Sequence, residues 1–94
     1  MTFAQFQRLI RDIYGEKDGA RPVGVNLAWL AEEVGELSRA IRKGDQEAMA
    51  DEFADIAAWL TTLATQCGIE MEEAIQRYAR GCPKCLSIPC RCAD

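Results

Sequence analysis

Apolar side chains recur along this chain at helical spacing, in four separate runs. Phe3, Phe6, Leu9, Ile10 and Ile13 share one helical face and predict a first element from about Thr2 to Tyr14. Thr2 with Gln5 three residues later fits a capping box, and Gly15 fits a stop. The polar, breaker-rich stretch from Gly15 to Pro22 predicts a loop. Leu27, Leu30, Val34, Leu37 and Ile41 form the stripe of a longer helix that starts at Val23 or Asn26 and runs to Lys43. Arg39, Arg42 and Lys43 suit its negative end, and Gly44 ends it. Asp45 is a good N-cap for a third helix, from about Gln46 to Gln66. Its stripe is Met49, Phe53, Ile56, Ala57, Leu60 and Leu63 or Ala64, and Cys67-Gly68 closes it. A shorter fourth helix is expected from about Glu70 to Arg80, with Glu70, Glu72 and Glu73 near its positive end, Ile75 and Tyr78 available for packing, and Gly81 as its breaker.

No stretch alternates with the period of two that marks a half-buried strand, so the expected fold is all-α, a four-helix bundle. A connector as short as Gly44-Asp45 makes the second and third helices antiparallel neighbours. After Gly81 the composition changes abruptly, and four of the five cysteines fall there. Two segments follow: a helical domain over 1–80 and a Cys-rich tail over 81–94. A chain of 94 residues buries a limited fraction of its surface, which self-association would raise.

Composition narrows the chemistry. With no histidine, the chain can form no Ser-His-Asp or Cys-His nucleophile pair, no His-x-x-x-His zinc protease helix and no Glu-x-x-His di-iron site. Any reaction must use carboxylates, cysteines, cations or the backbone. The net charge of -4, from 15 acidic and 11 basic residues, argues against stable nucleic-acid binding. Neither a signal peptide nor an apolar run long enough to span a bilayer is evident, so the expectation is a cytoplasmic protein with no membrane partner.

The excess acid is concentrated in Glu32-Glu33-Val34-Gly35-Glu36 on the second helix and Glu52-Phe53-Ala54-Asp55 on the third. Glu33 and Glu36 lie one turn apart, as do Glu52 and Asp55, and each pair flanks the apolar stripe of its helix. An antiparallel hairpin lets the four carboxylates converge along one edge of the seam. Such convergence raises their pKa values unless a cation intervenes, and all-oxygen ligation favours a hard ion, Mg²⁺ first and Mn²⁺ second. A solvated face is the ordinary fate of helical acids, but it normally intersperses both signs, whereas Gln46 to Gln66 contains no Lys or Arg. Carboxylate-held magnesium meets substrates through phosphate oxygens, which points to phosphoanhydride chemistry.

Leu30-Ala31-Glu32-Glu33-Val34-Gly35-Glu36-Leu37, then Arg42-Lys43-Gly44-Asp45, Asp51-Glu52-Phe53-Ala54-Asp55-Ile56 and Gly68-Ile69-Glu70 together resemble the MazG-like nucleotide pyrophosphohydrolases of the all-α NTP pyrophosphatase superfamily. Their hallmark is E-E-x-x-E followed by E-x-x-D, and the resemblance covers roughly residues 3 to 80. It implies Glu33, Glu36, Glu52 and Asp55 as magnesium ligands, and Glu32 as a supporting group or the base that orients attacking water. The reaction implied is hydrolysis of a nucleoside triphosphate to the monophosphate and pyrophosphate, as in nucleotide-pool house-cleaning, by a homodimer or homotetramer with sites between subunits. Family members often carry a basic segment after the fourth helix; here Arg77 and Arg80 stand in its place.

Lys17 and Arg21 in the predicted loop are candidates for triphosphate contacts, and Trp29 and Trp59, each four residues from a carboxylate, are candidates for stacking on a base. Asn26 and Lys84 are weaker candidates. Cys82, Cys85, Cys90 and Cys92 fall within eleven residues. A tetrahedral zinc site is the leading reading, with ligands from one chain or shared between chains; two disulfides, with three possible pairings, or a redox C-x-x-C are the alternatives. Similar tails end some MazG-like proteins. Cys67 is expected to be a small buried hydrophobe. The competing function is a non-catalytic dimerisation scaffold whose tail engages a protein or nucleic acid.

Overall fold

The computed structural model describes residues 1–93, and among them every regular element is helical. Helix α1 spans Phe3–Gly19 and opens on the predicted capping box: Thr2 Oγ1 accepts from the Gln5 amide at 3.1 Å, and Gln5 Oε1 accepts from the Thr2 amide at 2.7 Å. Gly15 does not end it. The helix continues through most of the predicted loop, leaving a connector of Ala20 to Pro22. A helical glycine costs about 1 kcal/mol, but the last turn is gripped from outside. The Asp18 carbonyl accepts from Asn26 Nδ2 at 3.0 Å and Gln66 Nε2 at 3.3 Å, while its carboxylate pairs with Arg21 and accepts from Thr62 Oγ1 at 3.4 Å. These side chains from later elements satisfy a helix end that local sequence leaves open.

Helices α2 (Val23–Lys43) and α3 (Gln46–Gln66) form the antiparallel hairpin. Gly44 adopts φ 71°, the left-handed conformation that lets its own amide and that of Asp45 turn back to the carbonyls of Ile41 and Ala40. Asp45 Oδ1 then accepts from the Ala48 amide at 3.1 Å and starts α3. The fourth element is tighter than predicted: α4 is one turn, Met71–Ala74, followed by a 3₁₀ turn over Ile75–Tyr78. Its start is pinned to α1, since Gln7 Oε1 accepts from the Met71 amide at 2.8 Å and Glu72 accepts from the Ala4 amide at 2.9 Å. Beyond Ala74, Ile75 and Tyr78 are exposed, so no packed face imposes the α-helical period.

The predicted stripes divide into two rows. Leu30, Leu37, Met49, Ile56 and Leu63 turn inward and are half-buried. Leu27, Val34, Ile41, Phe53 and Leu60 repeat at seven-residue spacing on an outer row and stay 42% to 58% exposed. Of the hydrophobic residues, Ile10 and Ala40 are buried; Gln7, Asp18, Asn26, Thr61 and Thr62 are the buried polar ones. The radius of gyration, 15.6 Å, exceeds the roughly 12 Å of a compact domain of this length. The outer row leaves a stripe of the hairpin's apolar surface uncovered.

Candidate active site

The hairpin brings three of the predicted carboxylates together. One oxygen each from Glu33, Glu36 and Glu52 lies within 4.8 Å of the others. With both groups ionised, Glu33 Oε2 and Glu52 Oε2 are buried and have no hydrogen-bond donor. A proton shared with Glu52, burial, and the negative charges of Glu36, Glu52 and Asp55 push Glu33 up to about 7. Asp55 is also raised, by burial first and then by Glu52 and Asp51. A divalent cation relieves the same conflict without the proton. Neighbouring and opposite oxygens around a six-coordinate Mg²⁺ stand about 3 and 4 Å apart, close to the spacing of this cluster. The donor set therefore fits a hard metal ion.

Asp55 and Glu32 stand outside that group of three. Glu32 is exposed. Asp55, one turn beyond Glu52, lines a neighbouring cavity of about 280 Å³. All four predicted substrate residues, Lys17, Arg21, Trp29 and Trp59, line the same cavity, together with Tyr14, Asp18 and Thr62. The two indoles meet edge to face, with centroids 5.4 Å apart and planes at 85°. Arg21 lies 4.4 Å over the Trp29 ring and 5.9 Å from that of Trp59. Its guanidinium also pairs with Asp18 and donates to Asn26 Oδ1 at 3.1 Å, so Arg21 is part of the cavity wall. Asn26 is fully buried; it bridges Asp18, Arg21 and Gln66 and acts as a brace. Lys84 is exposed in the tail.

On the other side of the carboxylates, Glu36, Glu52, Arg39, Lys43 and Asp45 line a second groove of about 280 Å³. Sequence reasoning assigned Arg39 and Lys43 to the helix dipole and missed this placement; the available signal was their spacing of three and seven residues from Glu36. Asp18 and Thr62 were missed for another reason. They are 44 residues apart, and only packing of α1 on α3 joins them. Along the seam the order is aromatic cavity, carboxylates, then the groove that carries Arg39 and Lys43.

A second cluster lies in the tail, where the sulfurs of Cys82, Cys85, Cys90 and Cys92 are within 4.8 Å of one another, all from one chain. Backbone amides of Arg91 and then Ser87 lower the Cys85 thiol to about 6, and those of Cys85 and Lys84 lower Cys82. Cys92 is pushed up to about 11 by thiol hydrogen bonding with Cys90, Cys82 and Cys85. Both clusters have the donors and spacing to hold a metal ion. Cys67, expected to be buried, is exposed because it sits at the C-cap of α3, past the packed turns.

Among the described residues no helix is long and apolar enough to cross a membrane. Residues 23–84 match the MazG nucleotide pyrophosphohydrolase domain, from the first residue of α2 to the start of the Cys-rich segment, with α1 outside the match. No match to a curated protein narrows this further. With both carboxylate helices and about two thirds of its length inside that match, the chain belongs to the MazG nucleotide pyrophosphohydrolase domain family.

Proposed function

We propose that this protein is a Mg²⁺-dependent nucleoside triphosphate pyrophosphohydrolase that converts a (d)NTP and water to the (d)NMP and pyrophosphate. The observation that carries this reading is the pair of buried, donor-less oxygens on Glu33 and Glu52, set between an aromatic cavity and a groove that carries Arg39 and Lys43. Glu33, Glu36 and Glu52 hold the magnesium, with Asp55 completing the set from the cavity side; Mn²⁺ satisfies the same oxygen donors. The bound ion supplies charge neutralisation along the phosphates and polarisation of the scissile linkage.

The chain's own residues place the substrate. Trp29 and Trp59, packed edge to face, form the aromatic wall against which the base stacks, Lys17 meets the phosphate nearest the cavity, and Arg39 and Lys43 meet the phosphates that depart as pyrophosphate. Glu32 or Asp55 accepts a hydrogen bond from the attacking water and orients it in line. Positioning and electrostatics provide most of the rate enhancement. The outer row of Leu27, Val34, Ile41, Phe53 and Leu60 packs against a second copy, giving a homodimer or a homotetramer. Unpaired thiols fit a reducing, cytoplasmic setting.

Pyrophosphate release across a panel of (d)NTPs, with Mg²⁺ and with EDTA, tests the reading. Release that requires the metal is expected. A folded protein that releases none across the panel overturns it and favours the scaffold.

A further inference from the structure

Residues 82–92 have little of what normally holds a peptide in one shape. Leu86 and Ile88 are 60% and 82% exposed, so the segment has no core of its own. Among the described residues, its hydrogen bonds are internal: the Cys82 amide to Ser87, the Leu86 amide to Cys82, the Arg91 amide to Cys85 Sγ at 3.3 Å and the Cys92 amide to Cys90 Sγ at 3.4 Å. The backbone is nevertheless tightly wound. Leu86 occupies the left-handed region at φ 59°, and Gly81, at φ 110°, lets the chain close so tightly that a Cβ would lie 2.8 Å from the Ser87 carbonyl oxygen. A conformation this constrained, without apolar burial, needs a cross-link.

The geometry points to a structural Zn²⁺ ion held by Cys82, Cys85, Cys90 and Cys92, forming a knuckle that folds independently of the helical unit. The four sulfurs occupy the corners of one cluster, and the Cys82 to Cys92 separation is 3.7 Å. The edge of a tetrahedral zinc–thiolate site, with Zn–S near 2.3 Å, is about 3.8 Å. Paired disulfides would instead join the sulfurs two by two. Amide donors to Cys85 and Cys90 are the outer contacts that hold ligating thiolates in place. No ligand is shared with Glu33, Glu36 and Glu52, so this site neither requires nor tests the proposed hydrolysis.

The test uses the full chain, purified anaerobically with reductant and without added zinc. About one zinc per chain is expected, falling below about a tenth in the Cys82→Ser/Cys90→Ser double variant. Replacing zinc with Co²⁺ in the wild-type protein is expected to give the visible absorption of a tetrahedral cobalt thiolate. Stripping zinc with a chelator is expected to speed tryptic cleavage after Lys84 and Arg91 at least about tenfold while the far-ultraviolet helical signal stays constant. Less than about a tenth of a zinc in the wild type, iron in its place, zinc retained by the double variant, or sulfurs paired as disulfides would each overturn the site. Loss of helical signal together with the zinc would overturn the independence of the knuckle.

Discussion

The carboxylate seam and the cysteine tail are both metal-ready clusters, yet opposite forces assemble them. Glu33, Glu36 and Glu52 are mounted on two helices of 21 residues each, locked by the Gly44-Asp45 corner and packed on each other, with α1 packed on α3. Helix–helix packing and capping hold those helices, and they bring like charges together at a cost to stability. The four cysteines sit on a segment with internal hydrogen bonds and exposed apolar side chains. There, on the proposal above, the ion would supply the fold. A preformed, repulsive site can release and rebind its metal with substrate, whereas a site that exists only when occupied serves structure.

The largest expected effect breaks one side of this contrast alone. Glu36→Gln should lower Mg²⁺-dependent pyrophosphate release by at least about 100-fold, or about 2.7 kcal/mol in the barrier, with helicity and zinc content unchanged. Asp55→Asn should lose less, about tenfold or more, because Asp55 stands outside the three-carboxylate group. Equal losses in steady-state assays would place Asp55 in the metal site on the same footing as Glu36. Loss of neither activity would remove the seam from the chemistry.

Next in size is the scaffold. Asn26→Ala strips hydrogen bonds from Asp18, Arg21 and Gln66 and should cost about 2 kcal/mol in urea unfolding. Zinc content should stay at about one per chain if the two regions are independent. The repulsion inside the seam is a smaller, signed effect. Glu33 is raised to about 7 in the folded chain from its ordinary 4.5, so the folded state retains a proton that the unfolded state has released. Metal-free protein should therefore lose stability as pH rises from about 4.5 to about 7. Glu33→Gln should flatten that slope in thermal melts with EDTA, and Mg²⁺ should restore stability above it. The smallest effect is at the corner: Asp45→Ala should cost about 1 kcal/mol by removing the N-cap of α3. A much larger loss would show that the corner also holds the seam in register.

Local rules account for what was legible. Capping at Thr2 and Asp45, the left-handed Gly44 and both long helices follow from residues within a few positions of one another, and the structure has them where the spacing predicts. Because those helices are regular and their connector is short, the meeting of Glu33, Glu36 and Glu52 was legible too. The errors fall where distant residues decide. Gly15 reads locally as a stop, but Asn26, Gln66 and Thr62 hold Asp18 one turn further on. The single apolar stripe was an error of the same kind, since only the crossing geometry of α2 and α3 sorts Leu30 and Leu37 inward from Leu27 and Val34 outward.

By itself, then, the sequence determined an all-α chain, its family motif, the absence of imidazole chemistry, three of the four expected carboxylates that cluster and the four clustered cysteines. Each of these depends on residue type and on spacing within one or two helical turns. Only the tertiary structure decided that Asp55 lines the cavity beside the three clustered glutamates, that Arg21 is bound into the wall, and that Arg39 and Lys43 border the carboxylates. Those placements depend on how three helices pack, and packing is a property of surfaces in contact that no single stretch of sequence contains.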